Sequence, residues 1–123
     1  MNPKQFLVWG GIVLVLVGVL GFVGLIGPTA ADSLFGEAWW FDNAENWAHL
    51  VLGVVALIAA YALKSADAQK WLVTLVGLLA LFFAAYNIFS TSFLGANLES
   101  PADLILHLVV GVWALWASKG KMA

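Results

Sequence analysis

The residues of this chain best suited to chemistry are two histidines, His49 and His107. Each sits in an apolar stretch, with an acid four residues before it and a glycine four residues after it. The first phrase reads Asn43-Ala44-Glu45-Asn46-Trp47-Ala48-His49-Leu50-Val51-Leu52-Gly53 and the second Pro101-Ala102-Asp103-Leu104-Ile105-Leu106-His107-Leu108-Val109-Val110-Gly111. On a helix, residues four apart lie one above the other. Glu45, His49 and Gly53 therefore share one helix face, and Asp103, His107 and Gly111 share another. The repetition predicts an internal duplication and a joint polar site. Tyr86 and Asn87, on a third apolar stretch, come to a similar depth and are candidates to support that site.

Three kinds of chemistry suit such a cluster. In the first, the histidines are interhelical fastenings, each bonded to the acid one turn above it and to a neighbouring helix; polar bonds of this kind contribute about 0.6–2 kcal/mol in membranes. In the second, His49, His107, Glu45 and Asp103 bind a transition metal such as zinc or iron, with the carboxylates as ligands or orienting the rings. Alternatively, the two histidines clamp a haem, or one of them holds a chlorin, and the glycine one turn below leaves room for a flat macrocycle. In the third, the acid–histidine pairs conduct protons or small ions, a task for which imidazole is apt. The run Leu50-Val51-Leu52-Gly53-Val54-Val55-Ala56-Leu57-Ile58 below His49 is purely apolar and opposes conduction. The first reading needs no cofactor and is the expectation carried forward. No enzyme is expected: the serines and threonines lack partners at catalytic spacing, and no glycine-rich phosphate loop is present.

The elements that position these residues follow from composition. Hydrophobic residues make up 63% of the chain and charged residues 10%, and the mean hydropathy is +0.99, outside the range of ordinary soluble domains. Crossing the roughly 30 Å hydrocarbon layer takes about 20 apolar residues. Four spans are expected, at about 6–26, 43–63, 71–93 and 101–118, within a single integral membrane domain covering 1–123. The fold class is thus an all-α, four-transmembrane-helix bundle. It consists of two tandem helical hairpins of parallel topology, related by a pseudo-twofold axis along the membrane normal. The first span is read as a retained helix, because its apolar run exceeds the about 7–15 residues of a signal-peptide core.

Charge sets the expected orientation. All five basic residues are lysines (Lys4, Lys64, Lys70, Lys119 and Lys121), placed at the two ends and in the middle loop. Asp32, Glu37, Asp42, Glu45, Glu99 and Asp103 fall in the other two connections, and only Asp67 breaks the division. By the positive-inside rule both termini are cytoplasmic and the acidic loops face outward. Cysteine is absent, which excludes disulfides and thiolate metal sites. With no arginine and few lysines, nucleic acid is not an expected partner. The expected partners are the lipid bilayer and either a second copy, through the glycines Gly11 and Gly18 of the first helix, or a larger membrane complex. Trp39-Trp40-Phe41, with Ala38, is expected to form a short helix lying on the membrane surface. The glycine-proline pair Gly27-Pro28 is expected to stop the first helix.

The phrase from Asn43 to Gly53 resembles the signature N-A-[DE]-N-x-x-H-L-x-x-G of a family of small four-helix bacterial membrane proteins of unknown function. Val17-Gly18-Val19-Leu20-Gly21-Phe22 is similar to that family's opening helix. In the second copy Pro101 and Leu104 stand where the signature has asparagines. The resemblance implies a four-helix fold in a bacterial cytoplasmic (inner) membrane, and it implies no activity.

Overall fold

The computed structural model describes residues 1–99 and 101–121. The expected loop residue Ser100, and Met122 and Ala123 at the end of the expected domain, lie outside the described residues. The described residues are all-helical in their body and form four α-helices: α1 (Pro3–Phe22), α2 (Asn43–Ala62), α3 (Ala66–Phe89) and α4 (Ala102–Ser118). A 3-10 turn, Gly36–Ala38, lies between α1 and α2. A two-stranded antiparallel hairpin, β1 (Ser92–Phe93) and β2 (Ala96–Asn97), joins α3 to α4. The helices α1, α2 and α3 are long and apolar enough to cross a membrane, whereas α4 is apolar but 17 residues long.

Local signals set the helix boundaries. Asn2 and Gln5 form a reciprocal capping box at the start of α1, with Pro3 in the first turn where its missing N–H is harmless. Asp42 and Glu45 form the same device at the start of α2. The first helix ends at Phe22, a turn before the expected residue 26. The stop is Gly24, at φ +90, and the N–H groups of Leu25 and Ile26 both fold back to the Leu20 carbonyl. Glycine just past a helix end is the usual way to turn the chain left-handed and satisfy the last carbonyls. The start of α3 precedes the expected residue 71 because the Ser65 hydroxyl accepts the Ala68 N–H. Its end at Phe89 falls short of residue 93 because Ser90 is extended. The residues that follow the expected third span, 94–97, form the apex and second strand of the hairpin.

Packing is pairwise. The main partner of α1 is α2 and that of α3 is α4, with lighter contacts from α1 to both α3 and α4. The glycines of α1 make the first pairing close: Gly11 lies against Gly53 and Leu57, and Gly18 against the backbone of Asn46 and Leu50. The small-residue face expected to drive self-association is therefore occupied by α2 of the same chain. All four helices meet in one dry core at the lysine-bearing end, formed by Phe6, Leu7, Ala59, Ala60, Val73, Ala114 and Ala117. The Phe6 and Trp113 rings pack in a T-shaped pair with centroids 4.6 Å apart. Gln69, itself buried, donates from Nε2 to the Ala60 and Leu63 carbonyls at 3.1 and 2.8 Å. It thereby caps α2 from α3, where the last carbonyls have no partner within their own helix.

Large apolar side chains cover the outside: Leu16, Val51, Ile58, Leu75, Leu78, Phe82, Val109 and Val112 are all exposed. This exposed apolar surface accompanies the three helices that are long and apolar enough to cross a membrane. The expected surface helix at Trp39-Trp40-Phe41 does not form. The 3-10 turn ends at Ala38, Trp39 is extended, and Phe41 is 4% exposed. Trp39 and Phe41 turn inward: the Trp39 indole reaches Asp103 of α4 and the Phe41 ring packs on His49 of α2.

Candidate functional site

The polar residues gather at the end of the bundle opposite the lysines, above the first turns of α2 and α4. Asp42, Glu45, Glu99 and Asp103 are each held there by a donor. Asp42 accepts the Glu45 N–H on Oδ1 at 2.9 Å and the Asn97 N–H on Oδ2 at 2.8 Å. Glu45 accepts the Asp42 N–H at 3.3 Å, and Glu99 accepts the Asn97 side-chain amide at 3.1 Å. Asp103, buried at 1% exposure, accepts the Trp39 indole N–H on Oδ1 at 3.1 Å and the Glu99 N–H on Oδ2 at 2.8 Å.

Two of these bonds join distant parts of the chain. The Trp39–Asp103 bond ties the α1–α2 connection to α4, and the Asp42–Asn97 bond ties the α2 cap to β2. Charge-assisted bonds of this kind are among the stronger ones a protein makes. Together they fasten the first hairpin to the second.

The histidines lie one turn below. His107 donates from Nδ1 to the Asp103 backbone carbonyl at 2.8 Å, which leaves Nε2 as the acceptor nitrogen. Its ring lies against Phe83 at 5.6 Å. His49 packs edge-on against Phe41 at 4.9 Å. Its Nδ1 is buried without a hydrogen-bond partner, as are both amide atoms of Asn46 one turn above.

The expected side-chain bonds between Glu45 and His49 and between Asp103 and His107 are not made. The reason is geometric. Every Cα–Cβ bond on a helix leans toward the N-terminus. His107 therefore reaches back to the carbonyl of Asp103, while the acid at i−4 on each helix leans further out, toward the caps and loops that take it.

The two faces border the same end of the bundle, where Trp39 bonds Asp103 and the Asn97 N–H bonds Asp42. They do not close around a metal. Among the described residues no three His, Cys, Asp or Glu side chains come into metal-binding proximity, so the set His49, His107, Glu45 and Asp103 is not assembled as a coordination sphere. Tyr86 and Asn87 serve a different place. The Tyr86 hydroxyl donates to the Ser92 carbonyl at 2.8 Å. Asn87 donates to the Ser90 and Leu98 carbonyls at 3.0 and 3.1 Å. Both brace the β1–β2 hairpin, and the α3 residue that touches His107 is Phe83.

Two open apolar depressions lie on the outer face of α4. One, of about 520 Å³, is lined by Leu108, Val109, Val112, Trp113 and Trp116; the other, of about 280 Å³, is lined by Trp39, Ala102, Ile105 and Leu106. Neither borders a histidine.

Sequence reasoning missed Trp39, Phe41, Phe83 and Asn97 as members of the cluster. The capping box at Asp42 and Glu45 was available as a signature, an acid followed three residues later by glutamate before an apolar run. The reach of the Trp39 indole to α4 had no local signal. Comparison with known proteins finds no matching family model, no matching curated protein and no matching solved structure.

Proposed function

We propose that this chain is a small polytopic membrane protein with a non-catalytic, structural or accessory-subunit role. On this reading it sits in a bacterial cytoplasmic membrane as two tandem hairpins, with both termini on the cytoplasmic side and the acidic connections outside. The observation that carries the reading is the use made of the polar end. Asp42, Glu45, Glu99 and Asp103 are each engaged by donors of the chain itself, while the exterior offers apolar side chains. A site that bonds its own loops is built for fastening rather than turnover. The lysine division and the resemblance of the Asn43–Gly53 phrase support the orientation and the type of membrane. The test is fractionation with alkaline extraction, followed by cysteine-accessibility mapping near Asp32 and Lys121. Membrane retention with Asp32 reachable only from outside and Lys121 only from inside is expected; release into the soluble fraction overturns the reading.

A second reading, a haem-, chlorin- or metal-binding membrane protein, keeps a specific foothold. The Nδ1 bond of His107 leaves its Nε2 lone pair available, and His49 Nδ1 has no partner. A visible spectrum and elemental analysis of protein purified from its native membrane separate the two. A Soret band or one stoichiometric metal lost in His107→Ala would favour the cofactor reading. A colourless, metal-free sample supports fastening.

A further inference from the structure

Leu94 occupies a position that suits asparagine or glycine. It lies at the apex of the β1–β2 hairpin with φ 50, followed by Gly95 at φ 86. A two-residue hairpin turn of type I′, the kind seen here, demands positive φ at both central positions, which is why Asn-Gly is its favoured pair. A leucine there brings its Cβ against a carbonyl oxygen. The Leu94 side chain does not repay that strain by packing on the described residues, for it is 93% exposed. Phe93, its neighbour, is pinned inward between the Phe83 and Tyr86 rings at 4.9 and 5.3 Å. Phe89, at the end of α3, is 88% exposed.

Helix lengths say what surrounds this apex. At 17 residues, α4 rises about 25 Å, roughly 5 Å short of the hydrocarbon thickness. At 24 residues, α3 rises about 36 Å and has length to spare. The hairpin joins the end of α3 to the start of α4 and so lies at the end of the bundle where the short helix begins. Its apex backbone lies outside the ladder and needs water, so it cannot lie deep in hydrocarbon. The headgroup–acyl boundary supplies both water and apolar contact.

We propose that the β1–β2 hairpin is an interfacial anchor. It holds Leu94, together with Phe89, in the headgroup–acyl boundary of the outer leaflet and completes the short span of α4 against phospholipid. This rests on the membrane-spanning reading above.

The chain has no cysteine, so single cysteines report without background. Leu94→Cys, Leu79→Cys and Asp32→Cys would each be spin-labelled in phosphatidylcholine nanodiscs, and collision with oxygen compared with collision with a water-soluble nickel chelate. All three positions are exposed, so the substitutions leave the packing intact. The label at 79, on the outer face of α3, should strongly favour oxygen. The label at 94 should give an intermediate ratio, several-fold above the water-like value at 32. If 94 matches 32 while 79 remains lipid-like, the anchor is overturned and the membrane reading stands. A water-like label at 79 overturns both. A label at 94 immobilised and shielded from both reagents would mean that a protein partner, not lipid, covers the apex, and also overturns the anchor.

Discussion

The two helical hairpins carry the same acid–histidine–glycine phrase but close differently. In the first, Gly53 faces backbone: a Cβ there would meet the Val15 nitrogen at 2.7 Å and the Gly11 carbonyl at 2.8 Å. In the second, Gly111 faces a side chain: a Cβ would meet Leu81 at 2.7 Å and the Gly77 carbonyl only at 3.1 Å. Thus α1 and α2 approach main chain to main chain, whereas α3 and α4 interleave leucines over glycine. The residue after the acid follows suit. In the first hairpin it is Asn46, fully buried against Gly21 with its amide unpaired; in the second it is Leu104. A shared motif fixes which face turns inward. The size of the residues opposite decides how close the helices come.

Substitutions can break this contrast. The largest effect is expected at Gly53→Ala, where rigid backbone cannot move aside: a loss of about 3 kcal/mol in thermal or denaturant unfolding of the detergent-solubilised protein. Gly111→Ala should lose only about 1 kcal/mol, because the Leu81 side chain can give way. Equal losses would erase the distinction between the hairpins.

The fastening between the hairpins comes next. Asp103→Ala leaves the Trp39 indole and the Glu99 N–H without their acceptor and should lower stability by about 2 kcal/mol. Adding Trp39→Phe should cost far less in that background than alone, as expected for one shared interaction. Additive losses would show that the bond contributes nothing.

Asn46→Leu makes the first hairpin resemble the second and removes an unpaired buried amide. A gain of about 1 kcal/mol is expected, and a loss would mean that the amide has a partner. The smallest contrast lies between the histidines. His107→Phe forfeits a hydrogen bond and should cost about 1 kcal/mol, whereas His49→Phe, which forfeits none at Nδ1, should be nearly neutral. Reversal of that order would reassign the polar contacts of the two helices.

The four helices, the placement of α2 and the inward acid–histidine faces are legible in the chain because they depend on local spacing and capping. Gly24, rather than Gly27-Pro28, ends α1, and the signal was present as a glycine following an apolar periodic run. Ser65 likewise announces α3 before the apolar run at Trp71 begins. The partners of the acids are a different matter. Asp103 reads as a histidine's companion when only its own helix is considered, yet its carboxylate is satisfied by Trp39 and Glu99.

By itself, the sequence determined that the chain is helical, that its exterior is apolar, that charge divides between the two ends, and which residues share the inward faces of α2 and α4. These are consequences of composition and of the helical repeat, which each segment carries alone. Only the tertiary structure decided that α1 covers its glycines with α2, that the carboxylates fasten loops instead of histidines, and that Leu94 stands exposed at a strained turn. Each of these depends on which group from a remote segment arrives within hydrogen-bonding or van der Waals distance, and no local spacing encodes that arrival.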